Sequence, residues 1–91
     1  MAWKVEFVRD AEKELRKLDK VVARRILRFL QERIAPLDNP RALGRALQGK
    51  MWGEFWRYRV GDCRVIVRIE DDILTVLVVK VGNRRDIYRE K

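Results

Sequence analysis

The sequence predicts an α+β fold in one small domain over residues 1–91, ordered β-α-α-β-β-β. The expected sheet is twisted and mainly antiparallel, with the two N-terminal helices packed on one face. Three observations carry this expectation. Apolar residues recur at helical spacing as far as Ile34, and from Phe55 onward the period changes to two. Gly61-Asp62 and Asp71-Asp72 divide the alternating region into three strands, each pair with the length and chemistry of a two-residue hairpin turn. Ninety-one residues, 47% hydrophobic and 40% charged, are enough for one core under a heavily charged surface.

Trp3-Lys4-Val5-Glu6-Phe7-Val8 alternates and reads as a half-buried strand. Asp10 offers an N-cap for a short helix whose apolar positions are Ala11, Leu15 and Leu18, and Glu12 and Glu14 suit its positive end. Asp19 can cap a second helix that buries Val22, Ile26, Phe29, Leu30 and Ile34 and turns Arg24, Arg28 and Glu32 to water. Pro36 ends it, and Asp38-Asn39-Pro40 is a turn cluster. Residues 41–53 read as a loop with one helical turn. Strands follow at residues 55–60, 63–70 and 73–81.

Composition removes whole classes of chemistry. The single cysteine, Cys63, forbids an internal disulfide, and there is no histidine. Imidazole-dependent triads, His-pair nucleases and most zinc hydrolases are therefore excluded, and no metal or cofactor is expected. The longest apolar run, residues 73–79 broken by Thr75, is too short to span a bilayer, and no secretory pattern follows Met1. The expectation is a cytoplasmic protein without a membrane partner.

Twenty-two Lys and Arg against fourteen Asp and Glu give a net charge of +8, which points to a polyanionic partner. Fifteen of the cations are Arg, the side chain suited to forked contacts with phosphate. Residues 41–69 hold seven basic against two acidic groups, and residues 80–91 five against two, so the positive field belongs to the second half of the chain.

The two-residue turns allow a register to be written. Across the first, Val60 faces Cys63, Arg59 faces Arg64, Tyr58 faces Val65 and Arg57 faces Ile66. Across the second, Ile69 faces Leu74, Val67 faces Val76 and Arg64 faces Val79. One face then holds Trp56, Tyr58, Val60, Val65, Val67, Ile69, Leu74, Val76 and Val78, which the helices must cover. The other holds Arg57, Arg59, Arg64 and Arg68 over Ile66, Leu77 and Val79. Like charges directly opposite one another, as in Arg59–Arg64, are destabilising with Cβ atoms about 5 Å apart, a cost explained by an anion in the working state. Removing either member should raise thermal stability. Gly82 permits a sharp chain exit that swings Arg84 toward the same patch, with Tyr88 close behind. Arg68 and Arg85 extend the basic surface, where a merely solvated role also fits. Trp56 and Tyr58 belong to the core, Trp52 lies in a glycine-flanked loop, and Cys63 reads as a small core residue.

Trp56-Arg57-Tyr58-Arg59-Val60-Gly61-Asp62-Cys63-Arg64-Val65-Ile66 and Val81-Gly82-Asn83-Arg84-Arg85-Asp86-Ile87-Tyr88 resemble the RelE toxins of the RelE/ParE superfamily, the toxin halves of type II toxin–antitoxin pairs. The resemblance covers nearly the whole chain and implies a RelE-like microbial RNase fold. It implies a ribosome-dependent, metal-independent mRNA endoribonuclease that inhibits translation, partnered by a cognate RelB-like antitoxin and reaching operator DNA only through the antitoxin complex. It implies catalytic roles for Arg64, Arg84 and Tyr88, and RNA or phosphate contacts by Arg57 and Arg59, flanked by Arg68 and Arg85. Well-known members carry lysine at the positions of Arg57 and Arg59. Arginine effectively cannot lose its proton, so neither residue is a good general base. The superfamily also contains ParE toxins, which poison DNA gyrase and are not nucleases; a decayed toxin that binds RNA without cutting it is a third reading.

Overall fold

A computed structural model describes residues 2–47 and 54–83. The alternating N-terminal segment forms β1 (Lys4–Phe7), and α1 (Arg9–Lys17) and α2 (Lys20–Phe29) follow. Helix α1 begins two residues earlier than expected. Val8 occupies its N-cap without a side-chain cap, and Asp10 falls inside the first turn, where its charge still suits the helix dipole. Asp19 does stand at the N-cap of α2, but its side chain makes no capping hydrogen bond. After Phe29 the helix widens into a π-turn at Leu30–Ile34, with the Ala35 N–H donating to the Leu30 carbonyl at 2.9 Å. Ile26, Leu30 and Ile34 are all completely buried, as the apolar stripe requires.

The loop region contains a 3-10 turn, Pro40–Leu43, and a two-residue strand that the sequence does not announce, β2 (Arg45–Ala46). Strands β3 (Trp56–Val60), β4 (Cys63–Glu70) and β5 (Thr75–Asn83) complete the sheet. Among the described residues its order is β1-β5-β4-β3-β2, antiparallel throughout except for the parallel pairing of β1 with β5. No helix among these residues is long and apolar enough to cross a membrane.

The β3–β4 register is the expected one, from Val60↔Cys63 to Arg57↔Ile66, around a turn in which Gly61 takes φ +60°. The β4–β5 register differs. Asp71-Asp72 is not a two-residue turn: residues 71–73 form a 3-10 turn and Leu74 adopts a left-handed conformation, φ 47°. Glu70 therefore pairs with Thr75 and Ile69 with Val76, and Leu74 is an exposed turn residue instead of a core one. A second correction comes from a bulge. Val67 pairs with Val78 but Ile66 with Lys80, leaving Val79 without a register partner. The extra residue turns Lys80 off the core face and brings Val81, only 3% exposed, onto it. Gly82 consequently lies opposite Arg64 inside the ladder, and the chain does not leave the sheet there. Beyond the reach of β1, the edge of β5 is closed by α1: Glu14 Oε1 accepts the Val81 N–H at 2.8 Å, and Lys80 Nζ donates to Oε2 at 3.5 Å.

The helices cover the face carrying Tyr58, Val65, Val67, Val76 and Val78, each with no exposed surface. Burying each aliphatic side chain of this kind is worth roughly 1.5–3 kcal/mol. Cys63, 4% exposed, is a core residue, and burial, helped by the Asp62 carboxylate, raises its thiol pKa and keeps it unreactive.

Candidate nucleic-acid interface

Strand β3 reads Trp-Arg-Tyr-Arg-Val, and a pleated strand sends alternate residues to opposite faces. Tyr58 faces the helices, with its ring edge-on to Phe29 at 5.7 Å between centroids. Arg57 and Arg59 emerge on the other side. The Tyr58 hydroxyl donates to the Pro40 carbonyl at 2.6 Å, fastening the 3-10 turn to the sheet. Burial pushes the phenol pKa well above its ordinary value, against the opposing pull of the Arg41 charge, so Tyr58 stays a neutral donor.

The same turn is tied at a second point. Arg41 donates to both carboxylate oxygens of Asp71, at 3.1 and 2.6 Å, and its guanidinium carbon lies 5.9 Å from the centre of the Trp56 ring. The hydrogen bond from Arg41 holds the Asp71 carboxyl below its usual range and raises the Arg41 pKa in return. Gly44 then lets β2 approach: a Cβ there would come within 3.0 Å of Tyr58 Cε1 and 3.2 Å of the Arg57 carbonyl oxygen. These contacts set Arg45 directly opposite Arg57.

An open groove of about 350 Å³ results, lined among the described residues by Leu43, Arg45, Arg57 and Arg59. Two pairs of opposed arginines stand on this face, Arg45↔Arg57 and Arg59↔Arg64. Arg45 and Arg59 are exposed, and among the described residues neither side chain makes a hydrogen bond or ion pair. Arg64 differs from the expectation of an open basic surface. It is 4% exposed, with Nη1 donating to the Cys63 carbonyl at 3.4 Å, and neighbouring Ile66 is fully buried. Long side chains on either side, Arg57 and Lys80 in the register, shield this apolar floor. Arg68 lies outside the groove, its Nε 2.8 Å from Glu70 Oε2. Arg84, Arg85, Tyr88 and Trp52 lie outside the described residues. The structure thus brings Arg57, Arg59 and Arg64 together as the hairpin register requires, and adds Arg45 and Leu43.

The chain can be compared with known proteins on this basis. A family model described as the ParE toxin of type II toxin–antitoxin system, parDE, matches residues 5–88. The chain belongs to the RelE/ParE family of type II toxins. Toxin RelG of Mycobacterium tuberculosis is 30% identical over 89 residues, covering 98% of this toxin and 99% of RelG. A putative RelE-like toxin protein of Escherichia coli is 31% identical over 90 residues, covering 97% and 92% of the two chains. In fold, this toxin resembles a chain of the RelBE2 toxin–antitoxin complex of M. tuberculosis, with a TM-score of 0.83, 24% identity and coverage of 92% and 93%. A chain of the intact E. coli RelBE complex gives a TM-score of 0.72 at 25% identity, covering 90% of this toxin and 96% of that chain.

Proposed function

We propose that this toxin is a ribosome-dependent mRNA endoribonuclease that blocks translation in the cytoplasm and is neutralised by a cognate RelB-like antitoxin, operator DNA being reached only through that complex. The observation that carries the reading is the groove: Arg45, Arg57 and Arg59 line it on the sheet face away from the helices, with arginines opposed in register and a packed core behind them. A fold accepts like charges in register when an anion occupies the space between them.

In this reading a ribose 2′-oxygen attacks the adjacent phosphorus, the bond from phosphorus to the 5′-oxygen breaks, and a 2′,3′-cyclic phosphate and a 5′-hydroxyl are left. The 2′-hydroxyl proton must leave and the 5′-oxygen must gain one. Arginine can do neither, so Tyr88 or groups supplied by the ribosome carry the protons, with base stacking the other role open to Tyr88. Arg64 and Arg84 stabilise the charge that builds on the phosphoryl oxygens, and need no metal to do so. Arg57 and Arg59 hold the backbone in line, while Arg68 and Arg85 add to the field around it.

The match to a family described by its ParE toxin supports a second reading, gyrase inhibition without nuclease activity. Two assays separate them: mRNA cleavage in a translating extract, and supercoiling by purified gyrase. The proposed function predicts new 5′-hydroxyl ends in the extract, suppressed by the antitoxin, and unaffected gyrase. Intact mRNA with inhibited gyrase would replace it by the second reading.

A further inference from the structure

Arg45 belongs to no pattern in the sequence, yet it is the most deliberately placed cation on the groove. Its strand is only two residues long, and three contacts fix the segment on either side of it: the Tyr58 hydroxyl on Pro40 and the forked Arg41–Asp71 pair before it, and the Leu47 N–H donating to the Phe55 carbonyl at 3.0 Å after it. The outcome of this fastening is an arginine opposite an arginine. Arg57 and Arg59 are two residues apart on β3, which separates the two opposed pairs by roughly 6.7 Å along the strand. That spacing is close to the distance between successive phosphates of an extended single strand. Leu43, 45% exposed, adds an apolar wall beside the same pair, suited to a sugar or a base face.

We infer that the groove binds two consecutive phosphates of single-stranded RNA, one at Arg59 and the neighbouring one between Arg45 and Arg57. The inference rests on the proposed RNA-binding function and adds to it a second phosphate site with Arg45 as its residue. Guanidinium contacts at two successive phosphates would fix the line of the strand across β2 and β3, which a single phosphate contact cannot do.

Two probes distinguish the sites: a 2′-O-methyl trinucleoside diphosphate, which carries two phosphates, and the dinucleoside monophosphate, which carries one. NMR titration of the full-length protein should show the trinucleotide binding more tightly. Arg45→Ala should weaken the trinucleotide roughly tenfold while sparing the dinucleotide, and should reduce the trinucleotide salt slope by about 0.7. Arg45→Lys should recover part of the loss, and an unchanged melting temperature would show that the exposed edge strand tolerates the change. Parent-like trinucleotide binding by Arg45→Ala, or equal losses for both probes, would overturn the second site while leaving RNA binding intact. A parent protein that binds neither probe would remove the RNA-binding reading and this inference with it.

Discussion

Along β3, Tyr58 and Val60 turn toward the helices while Arg57 and Arg59 turn away, and the two sets follow opposite rules. The helix side is closely packed and almost wholly apolar, and the Tyr58 hydroxyl there is met by the Pro40 carbonyl, although the buried Trp3 Nε1 has no partner among the described residues. The other side places cations opposite cations and leaves Arg45 and Arg59 exposed. The first arrangement supplies the folding energy. The second spends some of it to hold charge in a fixed geometry, and it can do so because the other face of the same strand is packed into the core. Stability and function should therefore respond differently to changes on the two faces.

The largest effect on stability is expected inside. Leu30→Ala removes a completely buried side chain and should cost about 3 kcal/mol by urea unfolding, with RNA affinity per folded molecule unchanged. A parallel loss of affinity would mean that the faces are coupled. Tyr58→Phe should cost about 1–2 kcal/mol by leaving the buried Pro40 carbonyl unmet, and should also weaken the groove, because this hydroxyl fastens the segment leading to β2.

The opposed pair Arg59–Arg64 divides the two faces most finely. The sequence alone implies that removing either charge stabilises the fold. Burial changes that for one of them. Arg64→Ala exchanges a repulsion for an empty space where a 4%-exposed side chain stood, and its melting temperature should fall, by about 1–2 kcal/mol in stability. Arg59→Ala, on an exposed residue, should raise stability by roughly 0.5 kcal/mol. Melting curves for the two variants moving in the same direction would contradict the asymmetry.

The smallest effect concerns Asp71. Its carboxyl titrates below the ordinary value of 3.8 because Arg41 donates to it, so the pair adds stability above that pH and loses it as pH falls through the lower folded value. Asp71→Asn should lower the urea midpoint slightly near neutrality, and the gap to the parent should close in acid. A gap that does not narrow as the pH is lowered progressively below 3.8 would assign the effect to something other than this ion pair.

The β3–β4 hairpin was legible because a Gly-Asp turn of two residues leaves only one register, and that register alone brings Arg57, Arg59 and Arg64 to one face. The β4–β5 register was not, because Leu74 takes a left-handed conformation that nothing in an Asp-Asp-Ile-Leu stretch announces, and because the bulge at Val79 shows in sequence only as a lysine interrupting an apolar run. Arg45 escaped for a different reason. Two residues cannot display a period of two, and the contacts that make this segment a strand come from Tyr58 and Asp71, far away in sequence.

Single-turnover cleavage of mRNA on programmed ribosomes tests most directly whether the arginine face is a reaction site. Arg64→Ala and Arg84→Ala should each cleave roughly a hundred- to a thousandfold more slowly with ribosome binding nearly intact, assayed at a temperature where melting curves show both variants folded. Arg57→Ala and Arg59→Ala should instead weaken binding, each lowering its salt slope by about 0.7–0.9. Parent-rate cleavage by both Arg64→Ala and Arg84→Ala would contradict the account, and the gyrase reading would take its place.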